Sequence, residues 1–81
     1  MNKKKRNEQK KWYLSKMIEH TNGLCKDYLS QLEVCKSICQ FCAMENYYFG
    51  HLEKAEVFDS IIDKIKLMKL KEEDKIKNNS K

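Results

Sequence analysis

Apolar positions recur at the helical period in three blocks along this chain. In the first, from about residue 8 to residue 21, Leu14, Met17, Ile18 and Thr21 share one helix face. Asn22-Gly23 closes it, with Gly23 predicted to take the left-handed position after the helix and Leu24 to fold back on the last turn. The second block, 24–49, runs for 26 residues without Gly or Pro. At 100° per residue, Leu24, Cys25, Tyr28, Leu32, Cys35, Ile38, Cys39, Cys42 and Ala43 form one stripe, with Lys26, Glu33, Lys36, Ser37 and Gln40 on the other side. That spacing predicts a helix of about 39 Å, with Phe49 continuing the stripe into the core. The third block, 51–74, sets Ala55, Phe58, Ile61, Ile62, Ile65 and Met68 on one face and Glu53, Lys54, Glu56, Asp59, Asp63 and Lys64 around the rest. Its acids fall early and its lysines late, the order that suits the helix dipole.

Gly50 decides how the last two blocks are joined. A glycine inside a helix costs only about 1 kcal/mol relative to Ala, so one rod over 24–74 is conceivable, and such a rod would have to dimerise. Two helices joined at Asn46-Tyr47-Tyr48-Phe49-Gly50 instead bury their stripes against each other. The expected fold is therefore all-α: a short N-terminal helix packed on a hairpin of two long amphipathic helices, a three-helix bundle over 8–75. Residues 1–7 and 76–81 lack apolar periodicity and are expected to be a disordered arm and tail. A chain of 81 residues buries only about 60% of its unfolded surface, so a homodimer sharing a Cys/Leu/Ile core is expected.

Charge changes the picture at the two ends. The net charge is +5, but only Arg6 among the 17 cations is Arg, and Lys, Asn and Ile together make up 28 residues, a bias that an AT-rich genome writes by itself. Residues 1–11 carry six cations and one acid, residues 12–63 four and eight, and residues 64–81 seven and three. Lys3, Lys4, Lys5, Arg6, Lys10 and Lys11, leading into Trp12 and Tyr13, have the composition of a nucleic-acid-binding extension. Lys64, Lys66, Lys69, Lys71, Lys75 and Lys77 form a second basic run. With a single Arg to read guanine and a turn that leads into a very long helix, any such binding is expected to be non-specific.

No stretch is apolar enough to cross a membrane and no apolar segment follows the basic start, so a cytoplasmic location with reduced thiols is expected. Cys35-Lys-Ser-Ile-Cys39-Gln-Phe-Cys42 has a spacing that resembles the cluster-binding loop of radical S-adenosylmethionine enzymes. The resemblance spans eight residues and does not extend to homology, because that family builds its loop on a barrel far longer than this chain. On a straight helix Cys35 and Cys42 stand about 10.5 Å apart along the axis, whereas two sulfurs on one zinc lie within about 4.6 Å. Cys35, Cys39 and Cys42 are therefore assigned to the core, with a metal or thiol-redox sensor as an alternative, and no cofactor is expected.

His20 and His51 flank the long second block and have no Ser or Asp partner in a triad-like pattern, and no phosphate-binding glycine motif occurs, so an enzyme is not expected. Trp12, Tyr13, Tyr47 and Tyr48 remain. Aromatics that point away from the stripes are enriched at contact hot spots, and these four are the candidate partner-binding residues. The sequence thus reads as a small regulatory or inhibitory binding protein that occupies a surface on a larger partner, of the kind carried by phages and mobile elements of low-GC bacteria. The alternative is a nucleic-acid-associated protein that uses its basic ends.

Overall fold

A computed structural model of the chain describes residues 3–79 and consists of three helices, α1 (Lys3–Thr21), α2 (Tyr28–Tyr48) and α3 (Leu52–Asn79). The α2–α3 hairpin makes the most extensive contact, and α1 lies against both helices. Arg6 pairs with Glu56 near the amino ends of α1 and α3, while Gln31 in the first turns of α2 reaches Ile18 near the end of α1. α1 and α3 therefore run in one direction and α2 in the other. One cluster forms the core: Leu14 and Met17 from α1, Leu32, Cys35, Cys39 and Ala43 from α2, and Val57, Phe58, Ile61, Ile62 and Ile65 from α3. The three-helix bundle read from the apolar periodicity is the fold observed.

The hairpin turn is made at Gly50, as the sequence reading expects, whereas the first turn is made by a different residue. Gly50 ends α2 at φ +77°, the left-handed region that costs a side-chain-bearing residue about 1–2 kcal/mol. The N–H of Gly50 donates to the Tyr47 carbonyl at 3.1 Å and that of His51 to the Asn46 carbonyl at 2.8 Å, the paired bonds of a Schellman cap. The His51 carbonyl then accepts the first bond of α3, from Ala55. Gly23 does not take positive φ, and Leu24 is 73% exposed rather than folded back. The start of α2 is set by Asp27 instead. Its carboxylate accepts from the Ser30 backbone N–H at 2.8 Å and from the Ser30 hydroxyl at 3.1 Å, an N-cap that moves the boundary from residue 24 to residue 28.

The expected disordered ends also need correction within the described residues. Residues 3–7 are helical because Lys3, Arg6 and Lys10, one turn apart on α1, stand over Glu56, Asp59 and Asp63, one turn apart on α3. α3 likewise continues through Asn79, five residues beyond the expected end, carried by helix-favouring Lys and Glu with no Gly or Pro to stop it. Met1, Asn2, Ser80 and Lys81 of the expected arm and tail lie outside the described residues.

Candidate functional site

The four cysteines divide by depth. Cys35 and Cys39 are fully buried, while Cys25 and Cys42 are partly buried. Cys39 Sγ donates to Met17 Sδ at 3.3 Å, and the buried Thr21 hydroxyl lies 3.5 Å from Cys35 Sγ and donates to the Met17 carbonyl at 2.9 Å. The thiols thus join α2 to the last turn of α1. Burial, with smaller contributions from Cys42 and Cys35, pushes the Cys39 thiol up to about 12, and burial followed by the Glu45 charge pushes Cys42 up as well. A thiol held protonated is a poor nucleophile and a poor metal ligand. Because α2 is continuous through Cys35, Cys39 and Cys42, their spacing is that of a helix, and no group of three His, Cys, Asp or Glu among the described residues could hold a metal ion.

The basic arm is a helix with two faces. Lys3, Arg6 and Lys10 share a recess with Glu56, Asp59 and Asp63, where Arg6 and Glu56 form an ion pair, so about half of the predicted phosphate-binding cations sit among carboxylates of the same chain. Lys4 and Lys11 are on the exposed side, and Lys5 lines a separate recess with Glu8, Gln9, Trp12 and Glu53. In the second basic run Lys69 is paired with Glu33, which also holds Lys36 at 3.2 Å. The hydrogen bonds from Lys69 and then Lys36 hold the Glu33 carboxyl below its ordinary value.

Of the four aromatic candidates, two are used inside the fold. Tyr13 packs on Phe58 with ring centroids 4.9 Å apart, at the edge of the core. Tyr47 spans the α2–α3 groove, its hydroxyl donating to the Asp59 carboxylate at 2.6 Å, and that bond raises the phenol above its ordinary value. Trp12 and Tyr48 are free to touch a partner. Trp12 is exposed, edge-on to Tyr13 and capped by the Lys16 ammonium 5.9 Å from its ring centroid.

Tyr48 is 84% exposed and stacks edge-to-face on Phe49 at 5.1 Å. Phe49, assigned to the core by its position on the stripe, is 64% exposed because the Schellman cap turns the chain away before it can reach the bundle. Leu52, exposed at the first position of α3, completes an apolar tip around Gly50. Trp12 lies beside this end, sharing its recess with Glu53.

A second apolar surface was not anticipated. Val34, Phe41, Met44 and Tyr48 are all exposed, and at 100° per residue they lie within about 80° of one another, on the side of α2 opposite Leu32, Cys35 and Cys39. The signal was present in the i, i+7, i+14 repeat of Val34, Phe41 and Tyr48. It was hidden because the stripe on the other face is longer and stronger. No helix of the described residues is long and apolar enough to cross a membrane. Comparison of the chain with protein-family models, curated proteins and solved structures yields no match.

Proposed function

We propose that this chain is a small non-enzymatic binding protein, regulatory or inhibitory in effect, that docks the apolar tip of its hairpin on a larger protein. The observation that carries the reading is the exposure of Tyr48, Phe49 and Leu52 around a hydrogen-bonded cap. Large apolar side chains grouped on a monomer surface mark contact sites, and aromatic rings dominate binding energy at low entropic cost because few of their torsions must be frozen. The cap holds the chain direction before a partner arrives, which favours affinity. Trp12, beside the same end, extends the surface.

The other readings have less support. Carboxylates facing Lys3, Arg6 and Lys10 weaken the field a nucleic acid would meet, and the buried, protonated Cys39 works against a thiol sensor. His20 lies in the last turn of α1 and His51 at the hairpin turn, both exposed. The Lys, Asn and Ile bias fits an AT-rich source such as a mobile element of a low-GC bacterium.

The test is affinity capture with the immobilised chain and with a Phe49→Ser/Leu52→Ser variant of equal helicity. The reading expects a stoichiometric protein retained by the wild type and lost with the variant. Equal capture by both, or retention only of nuclease-sensitive complexes, would contradict it.

A further inference from the structure

The outer face of α2 carries more than scattered apolar residues. Its side chains at positions 30, 34, 37, 41, 44 and 48 are Ser, Val, Ser, Phe, Met and Tyr, all exposed. Their separations alternate between four and three, the spacing of a two-helix seam in which each side chain enters a gap on the facing helix. Size is distributed unevenly along this seam: the three small residues occupy its first half and the three large ones its second.

We propose that this seam is a homodimer interface, in which α2 of one copy lies antiparallel to α2 of a second copy about a two-fold axis level with residue 39. In that register position n meets position 78 − n of the second copy. Phe41 covers Ser37, Met44 covers Val34 and Tyr48 covers Ser30, and each pair occurs twice by symmetry. A large side chain therefore meets a small one at every layer, which fills the seam without voids or overlap. A parallel pairing would set Phe41 on Phe41 and Ser37 on Ser37, crowding one layer and emptying the next. The taper of the seam is thus complementary to its own inverted copy, and this commits the surface to a second copy of the chain.

Charge supports the same arrangement. The only ionised side chains between Tyr28 and Tyr48 are Glu33, Lys36 and Glu45. Glu33 and Glu45 lie on opposite flanks of the seam. A two-fold axis perpendicular to the helices keeps each flank on its own side, so neither carboxylate faces the other across the pair. Glu33 is already engaged by Lys69 and Lys36. The seam needs no rearrangement of the bundle, because the Leu32, Cys35, Cys39, Ile61 and Ile65 core closes within one chain. This differs from the shared Cys/Leu/Ile core expected from the sequence.

From Ser30 to Tyr48 the seam is about 27 Å long. A contact of one helix face is near the lower limit of specific interfaces, about 1,000 Å² in total, so dissociation at micromolar concentrations is expected. Antiparallel pairing takes Tyr48 into the seam and leaves Phe49 and Leu52 exposed as two tips at opposite ends of the dimer. The dimer would then present two contact surfaces to a partner with repeated sites and gain by effective concentration. It does not depend on the tip having a partner at all.

Sedimentation equilibrium of the full chain, from about 1 µM to about 1 mM, tests the proposal across the millimolar-to-micromolar affinity range. The wild type is expected to pass from 9.7 kDa to twice that mass. Ser37→Phe and Phe41→Ser should each weaken the dimer by 10-fold or more, about 1.4 kcal/mol, by making a layer large on large or small on small. The double variant Ser37→Phe/Phe41→Ser exchanges the two sizes and should recover most of the loss. Far-UV circular dichroism should stay at the wild-type value in all of them, since every altered residue is exposed. A wild type that remains at 9.7 kDa throughout, or a dimer indifferent to both single substitutions, overturns the proposal. A dimer weakened by each single change but not recovered in the double variant overturns the antiparallel register.

Discussion

Gln31 Nε2 donates to the Ile18 carbonyl at 2.7 Å, joining the start of α2 to the end of α1. Ile18 is in the last turn of its helix, where carbonyls lack an intrahelical partner, and the Thr21 hydroxyl donates to the same oxygen at 3.2 Å. Gln31 is itself buried, so its amide serves both to satisfy that carbonyl and to fix how α1 sits on the hairpin. Gln31→Leu keeps most of the volume and removes the donor. It should cost about 1–2 kcal/mol, read as a lower urea midpoint with an unchanged slope. A larger fall in slope would mean that α1 detaches separately.

The two glycines should respond in opposite ways to the same change. Gly50 is at φ +77° with open space around its Cβ position, so Gly50→Ala meets backbone strain and no clash. The expected loss is about 1–2 kcal/mol. Gly23 has open space and no positive φ, so Gly23→Ala should be neutral or stabilise by up to about 1 kcal/mol through the unfolded chain. Thermal melts of both variants check this pairing, and a Gly23→Ala loss equal to that of Gly50→Ala would contradict it.

These two sites also show what the sequence made legible. Helical periodicity found all three helices, the hairpin and most of the core, because burial on one face leaves a strong 3.6-residue signal. Leu14, Met17, Leu32, Cys35, Cys39, Phe58, Ile61, Ile62 and Ile65 were all on predicted stripes and are all buried. Boundaries were less legible, since they depend on single hydrogen bonds such as that from Ser30 to Asp27. The helical start of α1 was not legible at all from its own residues. Arg6 gains its partner, Glu56, from fifty residues further along the chain, and such cross-helix pairing leaves no periodic trace. Tyr13 and Tyr47 look available for contact in the sequence, yet Phe58 and Asp59 on another helix claim them.

Thiol reactivity should follow depth. In the folded chain iodoacetamide should label the partly buried Cys25 and Cys42, Cys42 more slowly because burial and Glu45 push its thiol up, and Cys35 and Cys39 only after denaturant is added, as read by peptide mass spectrometry. The Cys39 thiol, pushed up to about 12 in the fold, binds its proton more tightly there than in the unfolded chain, where about 8.5 is usual. Its contribution to stability is therefore complete below about pH 8.5 and is lost as pH rises toward 12. Cys39→Ala should flatten that alkaline decline, and a decline of equal steepness in the variant would show that Cys39 does not cause it.

At acid pH the sign is reversed for Glu33. Lys69 and Lys36 hold its carboxyl below the ordinary value, so its contribution is present at neutral pH and is lost as pH falls through the carboxylate range. Because Glu33 is at the surface, the effect should be small and should diminish in salt. Melts of Glu33→Gln and wild type should differ slightly at neutral pH and converge as pH falls through the carboxylate range. A difference that persists at low pH would contradict the assignment.

The account rests on α2 having two apolar faces, one that folds the chain and one left for contact. Thermal melts of Leu32→Asp and Phe41→Asp, in solution dilute enough for the monomer to dominate, compare the faces directly. Leu32 is fully buried and Phe41 is 67% exposed. The account predicts that Leu32→Asp abolishes the cooperative transition, since an unpaired buried charge costs several kcal/mol, while Phe41→Asp melts within a few degrees of the wild type. Comparable loss of the transition in both variants would contradict it.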